Sequence, residues 1–187
     1  DYKRLLDGNR GPNTGGMGAV SPSPYENSAL LSKIETQIVG PLLSELKRER
    51  LDYRGALYIG LMIDREDNPY VLEFNTRFGD PETQCLLLRL QSDLFPLLQA
   101  TAQANLKQQR ALQWAPVHAS FIVVAAPGYP EKPVAGTLIS GIENINPNAQ
   151  VFYSGVSAKN NQLVTAGGRV FGVGACADTQ AAASLKA

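Results

Sequence analysis

The chain has 187 residues, 44% hydrophobic and 18% charged, a balance that suits one good core or two small ones and excludes disorder as the main state. Seventeen Lys and Arg residues cancel seventeen Asp and Glu residues, and no basic block exceeds KRER at residues 47–50, so no electrostatic footprint for nucleic acid is present. The longest apolar runs, LYIGLMI and SFIVVAA, fall far short of the roughly twenty residues a membrane-spanning helix needs, and no signal peptide is visible.

In chain order, residues 1–24 are turn-rich around RGPNTGGMG. A helix follows, in which Leu30, Ile34, Ile38, Leu42 and Leu46 form one apolar stripe and Pro41 must kink or break the backbone. GALYIGLMID and YVLEFN flank the turn REDNP and predict an antiparallel hairpin. Both runs are apolar nearly throughout, which places that hairpin in a covered sheet. Two helical patterns, PETQCLLLRL and SDLFPLLQATAQANL, are expected to pack behind it. Beyond KQQRALQWAP, short β-rich runs between Gly, Pro and Asn turns predict a small antiparallel sheet or barrel. The division falls near Ala115, giving domains at 1–115 and 116–187. A last helix opens with Asp178 as its cap and runs to the final residue, and the chain starts without methionine, so a piece of a longer protein is expected. Cys85 and Cys176 lack any CxxC or Cys/His pattern, which predicts reduced core thiols in a cytoplasmic protein.

The densest polarity directly follows YVL, in EFNTRFGDPETQ. Side chains alternate along a strand, so Glu73, Asn75 and Arg77 share one face. A carboxylate and an amide oxygen two residues apart suit one Mg²⁺, which takes few protein oxygens and fills its shell with water and phosphate. Arg77 adds a planar fork for a carboxylate or phosphoryl group. Behind them, Asp80 reads as a helix cap and Pro81 as the first helical residue, leaving free N–H groups for an anion. The same residues also suit a plain capped helix behind a hairpin with a solvated edge. In GPNTGGMG the glycines let the backbone approach a ligand and turn its amides inward, although such loops are more often mere connectors. Lys3 and Arg4 could reach a phosphate. His118 has no partner spaced for a triad, and Trp114, Tyr129 and Tyr153 read as packing residues.

Taken together, DYKRLLDG, GPNTGGMGAVSPSP, ALYIGLMI and EFNTRFGDPETQ resemble the phosphoribosylamine–glycine ligase family of ATP-grasp enzymes, and LVTAGGRVFGVGA resembles its C-terminal domain. The resemblance covers nearly the whole chain. It implies an α+β fold: the C-terminal half of an ATP-grasp domain, an antiparallel sheet with helices, followed by a small β-rich domain of the rudimentary hybrid or barrel-sandwich type. It implies a monomeric cytoplasmic ligase for ATP, glycine and 5-phosphoribosylamine, acting through a glycyl phosphate, with no nucleic acid or membrane partner. Glu73 and Asn75 would hold Mg²⁺ or Mn²⁺ on the ATP phosphates, and Arg77 would orient the glycine carboxylate during phosphoryl transfer. Asn13, Thr14, Gly15, Gly16, Met17 and Gly18, with Gly79, Asp80, Pro81 and Glu82, would enclose the substrates. The first half of the ATP clasp would precede Asp1, as a missing N-terminal part of the same chain, without which these residues do not catalyse. No acid stands in Leu57–Ile63 and Asp64 lies already at the turn, which counts against a second metal. Other ATP-grasp carboxylate ligases, such as biotin-type carboxylases, and a non-catalytic module of the same fold are the alternatives.

Overall fold

The computed structural model describes all 187 residues, which form ten strands and five α-helices. In chain order these are β1 (Arg4–Leu6), β2 (Arg10–Asn13), β3 (Gly18–Ser21), α1 (Ser28–Ile34), α2 (Gly40–Arg48), β4 (Tyr58–Ile63), β5 (Pro69–Asn75), α3 (Glu82–Arg89) and α4 (Leu94–Ala102). Then come β6 (His118–Ala125), β7 (Gln150–Tyr153), β8 (Val156–Lys159), β9 (Gln162–Thr165), β10 (Arg169–Ala177) and α5 (Gln180–Lys186). They gather into two compact units: Asp1–Pro22 with Asp80–Gln91 and Trp114–Ala187, and Ser23–Gly79 with Ser92–Gln113. These units cut across the division expected near Ala115, because β3 and α3 from the front of the chain join the C-terminal strands. Local texture changes near Ala115, but strand pairing is decided by partners distant in sequence.

The first unit is built on an antiparallel sheet in the order β3-β6-β10-β7. Gly18 pairs with Ile122 and Ser21 with Ala119, while β10 runs along β6 from Arg169 opposite Ala125 to Ala177 opposite His118. Alternation sends Ala119, Phe121 and Val123 to one face, where with Ala19 of β3 they bury against Cys85 of α3, flanked by Leu88 and Phe152. Phe121 meets Phe152 edge-on at 5.5 Å and lies across β10. A Cβ on Gly172 would stand 2.1 Å from Phe121 Cζ, so only glycine admits the ring there. The other face carries α5, with Ala183 fully buried and the hydroxyls of Ser184 and Ser120 in contact at 3.1 Å. Thr179, not Asp178, caps α5, its hydroxyl accepting from the Ala182 N–H. The helix expected from PETQCLLLRL forms as α3 and lays its apolar residues on the larger sheet of β3, β6 and β10.

In the second unit α1 and α2 are joined through a π-helical segment, Glu35–Val39, and Pro41 sits in the first turn of α2. The wide turn just ahead of the proline and its place near a helix start, where a missing N–H costs nothing, let the helical path continue. Leu30 and Ile38 of the predicted stripe are buried and Ile34, Leu42 and Leu46 half-buried. The hairpin forms as predicted, with Tyr58 opposite Asn75 and Gly60 opposite Glu73. Its turn is tied by Asp64, which accepts from the Asn68 N–H at 2.8 Å and the Glu66 N–H at 3.0 Å, and by Lys33 of α1, which donates to the Asp67 carbonyl at 2.8 Å. The expectation of a covered sheet fails: Tyr70, Leu72 and Phe74 of β5 are 56%, 61% and 48% exposed. A nearly continuous apolar strand usually signals cover on both faces, but this pair is a two-stranded sheet with α1 against β5.

Candidate functional site

Each unit brings together one set of the residues singled out above. In the second unit, β5 carries Glu73 and Asn75 on the same face, and the cross-strand neighbour of Glu73 is Gly60. A Cβ on Gly60 would come within 3.1 Å of Glu73 Cγ, so the absent side chain makes room for the glutamate stem. Glu73 is exposed and Asn75 half-buried. Arg77 curls back: one Nη donates to the Phe78 carbonyl at 2.8 Å, the other to Asn75 Oδ1 at 3.4 Å. The guanidinium thus touches one of the two oxygens proposed for a cation and is placed to hold an anion beside it. One carboxylate and one amide oxygen fit an ion that keeps most of its shell for water and phosphate. No cluster of three or more His, Cys, Asp or Glu side chains offers a closed metal cage. Asp64, engaged in the hairpin turn, adds no ligand at the strand end.

In the first unit the glycine loop and the Asp80–Glu82 turn lie against each other. Gly16 is buried on Pro81, and a Cβ there would stand 2.4 Å from Pro81 Cδ. Pro81 itself is among the most buried side chains of the chain, so it acts by packing under Gly16 rather than by touching a ligand. The expectation that the loop turns its amides inward to a ligand fails, because those donors are engaged within the chain. Thr14 N–H donates to the Lys3 carbonyl (2.7 Å), Gly15 N–H to the Tyr129 hydroxyl (3.0 Å), Gly16 N–H to the Thr14 hydroxyl (3.0 Å) and Met17 N–H to the Tyr2 carbonyl (2.8 Å). What the loop presents outward is the Asn13 side chain and the bare surface of Gly15; Thr14 and Met17 are half-buried and Gly18 is buried.

Asp80 does not cap α3, whose cap residue is Pro81 with no side-chain bond. Its carboxylate instead accepts from Gln84 Nε2 at 2.9 Å and from Arg169 at 3.0 Å. Glu82 already places a negative charge in the first turn, which opposes a further anion at that helix start. Gly79, the remaining member of the turn, is buried in the other unit. Lys3 pairs with Asp1 at 2.7 Å and Arg4 donates to the Gly11 carbonyl at 2.8 Å, so each spends its charge close to home. A cavity of about 140 Å³ opens beside the junction, lined by Asp80, Gln84, Phe121, Phe152, Arg169 and Phe171.

The family model for the ATP-grasp (A) domain of phosphoribosylglycinamide synthetase matches residues 1–83, and the model for its C domain matches residues 119–187. The chain belongs to the phosphoribosylglycinamide synthetase family. It is 44% identical over 188 residues to the phosphoribosylamine–glycine ligase of Neisseria meningitidis serogroup B, covering 100% of this chain and 44% of that protein. Against the ligase of Caldanaerobacter subterraneus the identity is 42% over 179 residues, covering 96% and 42%. A solved phosphoribosylamine–glycine ligase from Thermotoga maritima superposes with a TM-score of 0.83 at 36% identity, over 100% of this chain and 45% of that one. The biotin carboxylase of Campylobacter jejuni shares the fold at 13% identity, with a TM-score of 0.56 over 91% of this chain and 36% of that one. The chain therefore spans about two fifths of the length of the curated relatives it matches.

Two residues that shape the synthetase-family loop were missed from sequence. Arg169, at the start of β10, donates to the Gly15 carbonyl at 3.1 Å, the Asp80 carbonyl at 2.7 Å and the Asp80 carboxylate at 3.0 Å. Tyr129, read as packing, accepts from the Gly15 N–H with its hydroxyl, and its ring packs on Gly168, where a Cβ would come within 2.5 Å of it. The available signal was GGR: one charge opening a strand otherwise made of VFGVGACA, directly after two glycines.

Proposed function

We propose that these residues form part of an ATP-dependent ligase that joins glycine to 5-phosphoribosylamine, giving glycinamide ribonucleotide, ADP and phosphate. In this reading a glycine carboxylate oxygen attacks the terminal phosphorus of ATP and ADP leaves. The amine of phosphoribosylamine then attacks the acyl carbon of the glycyl phosphate, a proton is lost and phosphate departs. The observation that carries the reading is the strand end where Glu73 and Asn75 share a face above Gly60 with Arg77 bonded to Asn75, in a chain matched by both domains of the family.

Glu73 and Asn75 would hold Mg²⁺ or Mn²⁺, which when bound neutralises charge developing on the transferring phosphoryl group. Arg77 swings from the Phe78 carbonyl to steady the glycine carboxylate, so its charge serves both binding and transfer. Asn13 and the face of Gly15 line the side offered to phosphoribosylamine. Residues 1–115 act as an ATP-grasp portion and 116–187 as a C-terminal domain, a division supported by the separate matches at 1–83 and 119–187.

The test is ADP release by the complete gene product with Mg²⁺ and ATP, with glycine or freshly generated phosphoribosylamine omitted in turn. Release that needs both is the expected result. Release indifferent to glycine would leave the nucleotide chemistry and remove the substrate, and no release would leave a binding module.

A further inference from the structure

We propose that Arg169 is a positioning residue: it clamps the Gly15–Gly16 backbone onto the Asp80–Pro81 turn and so fixes the surface these two motifs offer to substrate. The proposal rests on the ligase reading above. Its ground is one guanidinium spanning both motifs, with donors to the Gly15 carbonyl at 3.1 Å, the Asp80 carbonyl at 2.7 Å and the Asp80 carboxylate at 3.0 Å.

A loop with glycines at 15, 16 and 18 has many conformations to lose, so contacts outside it must select one. Nearby chain fixes only the ends of the loop: the Thr14 hydroxyl accepts from the Gly16 N–H and donates to the Lys3 carbonyl, and the Thr14 and Met17 N–H groups bond Lys3 and Tyr2, which leaves the Gly15 carbonyl to a distant partner. The selection comes from the far end of the chain, 154 residues from Gly15. Arg169 is well placed for it because it opens β10, which is paired on both sides by β6 and β7 and so cannot drift. The planar fork matters: two Nη atoms reach three oxygens at once, which a lysine ammonium on a flexible stem does not reproduce. Tyr129 adds to the clamp by accepting from the Gly15 N–H at 3.0 Å. Gly15 is thereby held at both its N–H and its carbonyl, while its outer surface stays exposed.

The experiment uses the complete gene product and two readouts, hydrogen exchange of peptides covering residues 13–18 and steady-state kinetics with each substrate varied. Arg169→Met should speed exchange in that peptide about tenfold or more, since charge-assisted bonds are lost, while peptides of β6 and β10 keep their protection. KM for glycine or for phosphoribosylamine should rise about tenfold, with KM for ATP unchanged, because one tenfold step corresponds to about 1.4 kcal/mol of lost positioning. Arg169→Lys should recover part of the charge pairing but not the KM, and Tyr129→Phe should loosen the same peptide to a lesser degree.

Unchanged exchange in Arg169→Met overturns the clamp. Faster exchange with every KM at the wild-type value, or with KM for ATP raised equally, overturns the positioning role. Should Arg169→Met fail to fold, Arg169→Lys and Tyr129→Phe decide, and wild-type exchange and KM in both would count against the proposal. A wild-type protein without glycine-dependent turnover would defeat the ligase reading and the positioning role with it, while the exchange result alone would still say whether Arg169 holds the loop.

Discussion

Replacing Gly16 by alanine tests whether the glycine loop and the Asp80–Pro81 turn are locked as described. The new Cβ would stand 2.4 Å from Pro81 Cδ and 3.2 Å from Pro81 Cγ, with Asp1 Oδ1 at 3.3 Å. The nearest contact falls about 1 Å inside ordinary carbon–carbon separation, and the atom it meets belongs to a buried ring that cannot swing away. Overpacking of this kind costs about 1–3 kcal/mol. Gly16 also has φ of +119°, outside the range comfortable for alanine, which adds about 1–2 kcal/mol. Gly136 supplies the control: its φ is +82°, yet a Cβ there meets nothing within 4 Å, so Gly136→Ala carries only the backbone cost.

Urea unfolding of the 187-residue chain, followed by the fluorescence of its single tryptophan, reads the difference. Trp114 lies in the same compact unit as Gly16. With a slope of about 1–3 kcal/mol per molar urea, the midpoint of Gly16→Ala should fall below that of Gly136→Ala by about 1 M at unchanged slope. Equal midpoints for the two variants would refute the packing argument, since backbone strain would then explain everything.

Glu73→Ala in the complete gene product should lower turnover at least about 100-fold, as loss of one charge-stabilising contact does, while leaving unfolding within about 0.5 kcal/mol as for other exposed sites; a loss of stability with turnover intact would make Glu73 structural. Burial pushes the Cys85 thiol up to about 12 and raises Cys176 as well. Both should therefore stay protonated and slow toward iodoacetamide at neutral pH until the chain unfolds, and rapid labelling of folded Cys85 would contradict its burial. The raised value also means that the contribution of Cys85 to stability is complete below the unfolded thiol range near 8.5 and is lost as pH climbs toward about 12. For Asp64 the sign is opposite: bonds from the Asn68 N–H, then the Asn68 amide and Glu66 N–H, hold its carboxyl below the usual range. Its support of the hairpin is present above the unfolded value near 3.9 and fades as pH falls through the folded one, and Asp64→Asn should flatten that acid limb in a pH series of melting temperatures.

What could be read from sequence was what neighbours in sequence decide. The stripe from Leu30 to Leu46, the hairpin around REDNP and the shared face of Glu73 and Asn75 follow from periods of 3.6 and 2, and the structure has them. The failures share another cause. Asp80 looked like a helix cap because Asp is a favoured cap residue and Pro a favoured first helical one, yet Arg169 and Gln84 compete for its oxygens. The loop amides looked free because glycine loops often leave them so, yet acceptors as distant as Tyr129, 114 residues along, take them. β5 looked covered because its composition is that of a buried strand, and composition does not say which surface supplies the cover. A charged side chain that opens an apolar strand just after paired glycines has to find its partners outside that strand. In this chain those partners are the Gly15 carbonyl and Asp80, members of the two motifs that sequence marked for substrate. The residue least legible by local pattern is therefore the one that joins the two most legible motifs.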